Sequence, residues 1–452
     1  MDVLHASRAL TASGWASGVR LGVEGGRIVS VDTGFAAAPG DERHAILLPG
    51  MPNLHSHAFQ RGMAGLAETR GTSADGFWSW REVMYRFALA MTPEQVQAVA
   101  CQAYLEMLES GFTRVGEFHY LHHATDGRPY ADIAEMAVRI AAAASLTGIG
   151  LTLLPVFYAH AGFGGTPANA GQRRFINGLD GYARLLEASR RAVRGLSGAI
   201  VGVAPHSLRA VTADELAAVA GMAEGSPVHI HIAEQIKEVE DCLAWSGRRP
   251  VEWLLDHAPV DARWCLIHAT HMTDAETGRL ARSGAVAGLC PVTEANLGDG
   301  TFGATVFTTA GGKWGIGSDS NVRIDAAGEL RQLEYSQRLV LRARNVMAVA
   351  GGSTGRSLFD AALDGGGLAL GAGGSGIVAG APADIVSLDA SHLAFAGRTD
   401  DQWPDAWIFG PANRPIDCVW VGGAKMVEGG RHRDRDAIAG GFRAVMENLR
   451  AS

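Results

Sequence analysis

The middle of the chain alternates short apolar segments with amphipathic ones, and this alternation constrains the fold more than any other feature. Helical segments follow Thr92-Pro93 and Thr212, and Glu215 completes a capping box with Thr212. Eight apolar segments are typical of strands: AILLPGMPNLH, TRVGEFHY, GLTLLPVFY, AIVGVAPHS, PVHIHIAE, WCLIHATH, AVAGLCPVT and KWGIGSDS. Eight such units predict an α/β fold, a (β/α)8 barrel of the TIM type with parallel strands.

The two ends of the chain have a different residue pattern from the middle. Both contain short alternating runs broken by glycines, such as GVRLGVEGGRIVSVD near the start and IDCVWVGGAKMVEGG near the end. We therefore predict a small β-sandwich domain built from both chain ends. Its N-terminal part would span residues 1–48 and its C-terminal part, with the tail, residues 376–452, leaving 49–375 for the barrel.

Composition excludes several classes of protein. The net charge is −8 and no basic stripe occurs, which argues against nucleic-acid binding. No apolar window approaches about 18 residues, and the first residues do not resemble a signal peptide, so we expect no membrane span and a cytoplasmic protein. The five cysteines are scattered without a CxxC pair, which predicts neither disulfides nor a thiolate metal site.

Polar residues follow the apolar segments in an order that suits a metal-dependent hydrolase. His55 ends the first segment and His57 lies two residues further on, His231 lies in the fifth segment, and Asp319 lies at the end of the last. Three histidines and one carboxylate can hold a divalent metal and leave a position open for water. Since side chains alternate along a strand, His55 and His57 share a face and can reach one ion.

Other polar residues at the predicted strand ends suit proton transfer. Glu234 is a candidate general acid or base, while His268 could be either a ligand or a charge-stabilising group. His229 is predicted to be a hydrogen-bonded core histidine, and His271 a loop residue. The fourth predicted strand lacks lysine, a common bridging ligand of two-metal barrels, so we predict one metal per chain.

Substrate specificity would come from the remaining polar groups near the strand ends. Arginines in a pocket grip carboxylates through paired hydrogen bonds, so two of them would suit a dicarboxylate, although spacing alone leaves a surface position equally open. The candidates are Gln60, Arg81, Tyr120, His206 and Arg209.

These segments resemble the amidohydrolase superfamily and, within it, the formimidoylglutamate deiminases of bacterial histidine degradation. The resemblance covers almost the whole chain and departs at Asn321, where histidine is more usual, which affects only local loop contacts. The stretches that carry it are LPGMPNLHSHAFQRGMAGLAE, GFTRVGEFHYLHH, APHSLRAV, HIHIAEQ, IHATHM, CPVTEANLGDG and GIGSDSN followed by ELRQLEYSQRL.

The resemblance implies a role for each candidate. The zinc ligands would be His55, His57, His231 and Asp319, and the catalytic groups Glu234, His268 and Asp319. It implies that the five remaining candidates bind substrate, which places both arginines in the pocket. The reaction would convert N-formimino-L-glutamate to N-formyl-L-glutamate and ammonia, in a homodimer that binds neither nucleic acid nor membrane.

Two other functions fit parts of the pattern. A related deaminase of guanine or S-adenosylhomocysteine would share the fold and metal, but it would need stacking and amide contacts rather than arginines. A non-catalytic scaffold would keep the barrel, but such proteins usually lose their ligands, whereas this chain has the whole set.

Overall fold

The computed structural model describes residues 2–70, 76–373, 376–410 and 415–451. The predicted boundary at residue 375 lies outside these ranges. The strands of the described part, in chain order, are β1 Asp2–Thr11, β2 Gly14–Glu24, β3 Arg27–Asp32, β4 Glu42–Pro49, β5 Met51–Ser56, β6 Phe112–His119, β7 Gly150–Phe157, β8 His160–Gly162, β9 Thr166–Pro167, β10 Ile200–Val201, β11 Ala204–Pro205, β12 Val228–Ile232, β13 Trp264–His268, β14 Val286–Leu289, β15 Lys313–Ile316, β16 Ile385–Leu388, β17 Ile416–Val421, β18 Ala424–Glu428 and β19 Arg431–His432.

Helices separate the strands of the middle. Both predicted helix starts are confirmed, since the side chains of Thr92 and Thr212 accept hydrogen bonds from the backbone three residues on. The α-helices are α1 Phe77–Ala90, α2 Pro93–Glu109, α3 Glu135–Thr147, α4 Leu179–Ala192, α5 Ala213–Gly221, α6 Ile236–Ser246, α7 Pro250–His257, α8 Asp274–Ser283, α9 Pro291–Leu297, α10 Ala304–Thr309, α11 Ala326–Leu341, α12 Thr354–Ala369, α13 Gln402–Phe409 and α14 Arg435–Ala451. Short 3-10 helices occupy Ala58–Met63, Ala170–Gln172 and Leu393–Phe395.

The predicted (β/α)8 barrel is confirmed. Parallel pairing joins β5, β6 and β7 to the short pair β10 and β11, and it joins β12 through β15 in chain order. Parallel bridges from Val203 to Val228 and from Ser56 to Asp319 close the ring. Closure brings the carboxyl ends of all strands to one mouth, where active sites of this fold lie.

One strand prediction is wrong. The segment AILLPGMPNLH is not a single barrel strand, because it divides at Gly50 into β4 and β5. The Gly50 amide donates to the Asp384 carbonyl at 2.9 Å, and a Cβ at Gly50 would lie 2.2 Å from the side chain of Thr113. The chain therefore passes from one sheet to the other at a position that no larger residue could occupy.

The two chain ends come together in one small β domain, as their alternating residue pattern predicted. Its eight strands run in the order β19, β18, β17, β16, β4, β1, β2, β3, around an apolar core separate from that of the barrel. The sheet folds over on itself, since the Ile28 amide donates to Ala381 and the Ala383 amide donates to Gly26. β4 leads directly into β5, so this small domain is joined to the strand that carries His55.

The glycines near residue 365 allow helix α12 to pack closely against the barrel strands. The helix packs against β5, β14 and β15, and a Cβ at Gly365 would lie 1.9 Å from the Trp314 carbonyl. The predicted core histidine, His229, donates through Nε2 to the carbonyl of Ala369 at 2.8 Å. Among the described residues, no helix is both long and apolar enough to cross a bilayer.

Candidate active site

The four predicted metal ligands lie together at the mouth of the barrel. The Nε2 atoms of His55 and His57 are 3.4 and 3.3 Å from Asp319 Oδ1, and the Nε2 atoms of His55 and His231 are 3.0 Å apart. All four side chains are buried, and their ligand atoms lie within 4.8 Å of one another. Donors from three separate strand ends thus surround one point.

These distances fit a divalent cation. Two ligands that each lie about 2.0–2.1 Å from a metal, at a tetrahedral angle, are about 3.4 Å apart. The ring tautomers fit as well, because Nδ1 of His57 donates to the Phe118 carbonyl at 2.9 Å and Nδ1 of His231 donates to the His206 carbonyl at 3.1 Å. Each Nε2 is therefore left with a lone pair directed at the shared point.

Burial also keeps these imidazoles in the form that binds metals. Loss of solvation lowers the pKa of His57 and lowers the pKa values of His55 and His231 well below their usual range. The neighbouring imidazoles lower the pKa values of His55 and His231 further. The neutral ring is the metal ligand, so no proton has to be displaced from it near neutral pH.

Glu234 and His268 face the same point from the other side. His268 Nε2 lies 3.8 Å from both Glu234 Oε1 and Asp319 Oδ2. Burial raises the pKa of Glu234 to about 7, within the range of a group that gives and takes protons near neutral pH. Burial alone would lower the pKa of His268, but the surrounding carboxylates raise it to about 10.

The backbone is strained where these side chains leave their strands. Ala233, His268, Ala269, Asp319 and Asn321 all have φ between +44° and +67°, although none is glycine. Left-handed backbone in such residues is uncommon and persists only where the surroundings enforce it. Five of the nine described non-glycine residues with positive φ are these five, so the strain is concentrated at the site.

The predicted substrate-binding residues converge on the same cavity. All eleven predicted site residues lie at the barrel mouth, ten of them lining one cavity, with His55 buried beside it. Gln60 Nε2 donates to the Tyr120 hydroxyl at 2.7 Å, while Gln60 Oε1 is buried without a partner among the described residues. This unpaired acceptor could take a hydrogen bond from a ligand N–H.

Both predicted arginines face the cavity. Neither Arg81 nor Arg209 has a carboxylate within 4.0 Å in the described part of the chain, and the buried Nε of Arg209 has no hydrogen-bond partner there. The guanidinium carbons lie 4.4 Å (Arg81) and 5.9 Å (Arg209) from the centre of the Trp78 ring. Two unpaired cations held beside one aromatic ring can bind the carboxylates of a ligand.

Arg81 was predicted among polar groups near the strand ends, but it does not directly follow a strand. It lies on α1, within the long connection from β5 to β6. The end of this helix is anchored by Arg174, which is fully buried and donates to the carbonyls of Ala88 and Met91. Tyr85, also on α1, lines the cavity.

Two residues near the site were missed or underrated. Glu294 accepts a hydrogen bond from His268 Nδ1 at 3.2 Å, although no role was predicted for it. Asn321, expected to affect only loop contacts, is fully buried and donates to Ser56 Oγ, to the His57 carbonyl and to the Asp319 carbonyl at 3.0–3.1 Å. It thus joins the segments that carry two predicted ligands.

We expect Asn321→Gly to weaken metal binding about 10- to 100-fold, the usual cost of losing a group that orients ligands. Glycine tolerates the positive φ at this position, so the change removes the hydrogen bonds without adding backbone strain. Competition with a chelator of known affinity measures the effect. An unchanged metal affinity would show that the ligands are held without Asn321.

Comparison with known proteins identifies the family to which the chain belongs. Residues 46–426 match the Amidohydrolase family, and residues 1–45 match the N-terminal domain of formimidoylglutamate deiminase HutF. The chain is 51% identical to the formimidoylglutamate deiminase of Pseudomonas aeruginosa, over 99% of this chain and 100% of that one. The chain belongs to the amidohydrolase family, among its formimidoylglutamate deiminases. It is accordingly a hydrolase that acts on carbon–nitrogen bonds.

Other relatives support the fold. The structure of an amidohydrolase from Brucella melitensis is 62% identical, with a TM-score of 0.97 over 99% of this chain and 100% of that one. An adenosine deaminase from Xanthomonas campestris with bound zinc has a TM-score of 0.82 over 100% and 98% of the two chains, but at 22% identity it shares the fold alone. A 5-methylthioadenosine/S-adenosylhomocysteine deaminase from Natronomonas pharaonis is 28% identical over 84% of each chain.

Proposed function

We propose that the protein hydrolyses N-formimino-L-glutamate to N-formyl-L-glutamate and ammonia, as a step of histidine degradation. The observation that carries this proposal is the composition of one cavity, which combines a His3Asp cluster suited to a metal with two arginines that form no ion pair within 4.0 Å among the described residues. The substrate has matching chemistry, since it joins an amidine-like carbon–nitrogen bond to two carboxylates. The 51% identical relative from P. aeruginosa supports the same substrate.

The cluster would hold one divalent cation per chain, which we propose to be zinc. Its ligands would be His55, His57, His231 and Asp319, a mixed nitrogen and oxygen set that suits Zn²⁺. The cation would supply the Lewis acidity that makes water a nucleophile near neutral pH.

We expect metal analysis of the fully active protein to give one equivalent per chain. The fourth barrel strand offers no lysine, so a bridging ligand for a second ion is missing there. Removal of the metal by a chelator should abolish turnover, and one equivalent of Zn²⁺ should restore it. Full activity that requires two equivalents would contradict the single site.

The chain's own residues would then move the protons. Asp319 accepts the proton of the attacking water as the oxygen bonds to the formimino carbon, and His268, whose pKa of about 10 keeps it charged near neutral pH, orients that water. Glu234, with its pKa near 7, delivers a proton to the imino nitrogen. A second proton, the one that Asp319 took from the water, passes to the same nitrogen, and Glu234 takes the proton of the new hydroxyl group. The carbon–nitrogen bond then breaks, ammonia leaves, and the carbon keeps the oxygen as the formyl group.

The remaining residues would orient the substrate. Arg81 and Arg209 hold the two carboxylates, and the free Gln60 Oε1 accepts a hydrogen bond from a substrate nitrogen. Tyr120 fixes the Gln60 amide, and His206 lies 5.0 Å from the His231 ring, at the border between the pocket and the ligands. The formimino carbon is thereby turned towards the cluster.

We expect Arg209→Met to raise KM about 10- to 100-fold with little change in kcat. A hydrogen bond to a charged group contributes about 1.5–3 kcal/mol, and a carboxylate distant from the reacting carbon is bound equally in ground and transition states. Steady-state kinetics measure the effect, with Arg191→Met on the exposed face of α4 as the matched control. An unchanged KM would remove Arg209 from the binding set.

The substrate itself is tested by assaying ammonia release from N-formimino-L-glutamate, guanine and S-adenosylhomocysteine side by side. The proposal expects turnover of the first compound and at most trace turnover of the purine compounds. A preference for either purine compound would favour the related deaminases. The absence of any hydrolysis by metal-loaded protein would favour a scaffold.

We also propose that the protein is cytoplasmic and forms a homodimer. All five cysteines are free and buried, which suits a reducing compartment. Exposed apolar side chains at the end of α11, namely Leu339, Val340 and Leu341, offer surface for a second copy. Light scattering would give the mass of the particle in solution.

A further inference from the structure

The segment CPVTEANLGDG follows β14, and the proposed reaction assigns no role to any of its residues. Residues Pro291–Leu297 of this segment form α9. Glu294 on this helix is 5% exposed, and its side chain contacts the imidazole ring of His268. Glu294 Oε1 lies 3.2 Å from His268 Nδ1.

The hydrogen bonds of Glu294 identify Nδ1 as the ring nitrogen of His268 that stays protonated. The same oxygen, Oε1, accepts from the Cys290 amide at 2.9 Å, so the main chain holds the carboxylate in place. A carboxylate oxygen only accepts hydrogen bonds, so His268 Nδ1 must be the donor. The opposite nitrogen, Nε2, is then turned to Glu234 and Asp319, 3.8 Å from each.

We propose that Glu294 is a positioning residue that accepts a hydrogen bond from His268 Nδ1 and so holds the ring with only Nε2 facing the reaction. This inference rests on the proposed function. In that reaction, Nε2 orients the attacking water while Nδ1–H stays bonded to Glu294. A carboxylate that holds a catalytic imidazole in one tautomer is a recurring arrangement.

The alternative is that Glu294 only caps the start of α9. A cap would contribute to stability and would leave the tautomer of His268 unaffected. Two substitutions separate these roles. Glu294→Gln keeps an oxygen for the Cys290 amide and hence an acceptor for Nδ1–H, whereas Glu294→Leu removes both.

The kinetic test uses metal-loaded protein and N-formimino-L-glutamate. We expect Glu294→Leu to lower kcat about 100-fold with KM changed less than about threefold, and Glu294→Gln to stay within about tenfold of the parent protein. The matched control is Glu334→Gln, a buried carboxylate outside the cavity that accepts from the Val346 and Met347 amides. Metal content should be unchanged in all three variants.

The structural test needs no substrate, which separates this inference from the proposed function. Nitrogen-15 NMR of histidine-labelled, metal-loaded protein, with His268→Gln for assignment, follows both ring nitrogens between about pH 6 and 11, a range that extends above the raised pKa of His268 and reaches the neutral ring. We expect Nδ1 of His268 to keep its proton throughout in the parent protein and in Glu294→Gln.

Three results would overturn the inference whatever the substrate proves to be. They are a neutral His268 ring protonated on Nε2 in the parent protein, normal kcat in Glu294→Leu, and a loss of kcat in that variant that only follows a loss of metal. If the parent protein shows the expected tautomer but does not hydrolyse N-formimino-L-glutamate, the proposed function fails while the assignment of Glu294 stands.

Discussion

His231→Ala should remove both the metal and the activity. The substitution takes away one of three imidazoles that meet at the cluster, and alanine offers no replacement ligand. Lewis-acid activation contributes several kcal/mol to the transition state, and each 1.36 kcal/mol is tenfold in rate, so we expect kcat/KM to fall about 10³-fold or more. Metal analysis after dialysis and steady-state kinetics measure the two losses together.

The matched control is His229→Gln, two residues earlier on β12 and on the same face of the strand. His229 is buried and donates to Ala369, and glutamine can retain a donor there. We expect this variant to keep its metal and most of its activity. The proposed ligand set would be contradicted if His231→Ala retained metal at parent levels, or if His229→Gln lost as much metal as His231→Ala.

The second large effect is expected from Glu234→Gln, which should keep the metal but lower kcat about 10²- to 10⁴-fold, the usual contribution of a general acid or base. The amide has nearly the same shape but cannot transfer a proton. Since Glu234 is not a member of the ligand cluster, the metal content should not change.

Glu240→Gln provides the control for Glu234→Gln. It makes the same change of charge at an exposed position of α6, six residues after Glu234 in the sequence. Near-normal turnover in Glu234→Gln, measured with metal content equal to that of the parent protein, would refute the proton-transfer role.

Much of the architecture could be predicted because each barrel unit carries its own local signal. Short stretches of sequence are enough to recognise the apolar strands, the capped helices at Thr92 and Thr212, and the polar residues at strand ends. Parallel closure then brings the strand ends to one mouth without further information. This is why residues as distant in sequence as His55 and Asp319 could be expected to meet.

The division at Gly50 is marked in the sequence only by the Pro49-Gly50 dipeptide, a common turn signal, inside a mostly apolar segment that is otherwise typical of one strand. The break is set by distant partners, the Asp384 carbonyl and the Thr113 side chain. Such tertiary contacts are invisible to any local reading of the sequence.

The supporting residues of the site were missed for a similar reason. Asn321 looked like an ordinary loop residue, yet its side chain spans two strand ends through partners 264 and 265 positions away. Glu294 lay within a segment that the resemblance had marked, but only the fold of α9 brings its carboxylate to His268. Trp78 contacts Arg81 through helical spacing on α1, whereas its contact with Arg209 depends on the placement of that helix.

A crystal structure of metal-loaded protein with N-formyl-L-glutamate, recorded with anomalous scattering at the metal edge, tests the central proposal most directly. We predict one anomalous peak within bonding distance of His55, His57, His231 and Asp319, with the ligand's two carboxylates on Arg81 and Arg209 and its formyl group facing the metal. A peak outside this cluster, or carboxylates bound away from both arginines, would contradict the proposal.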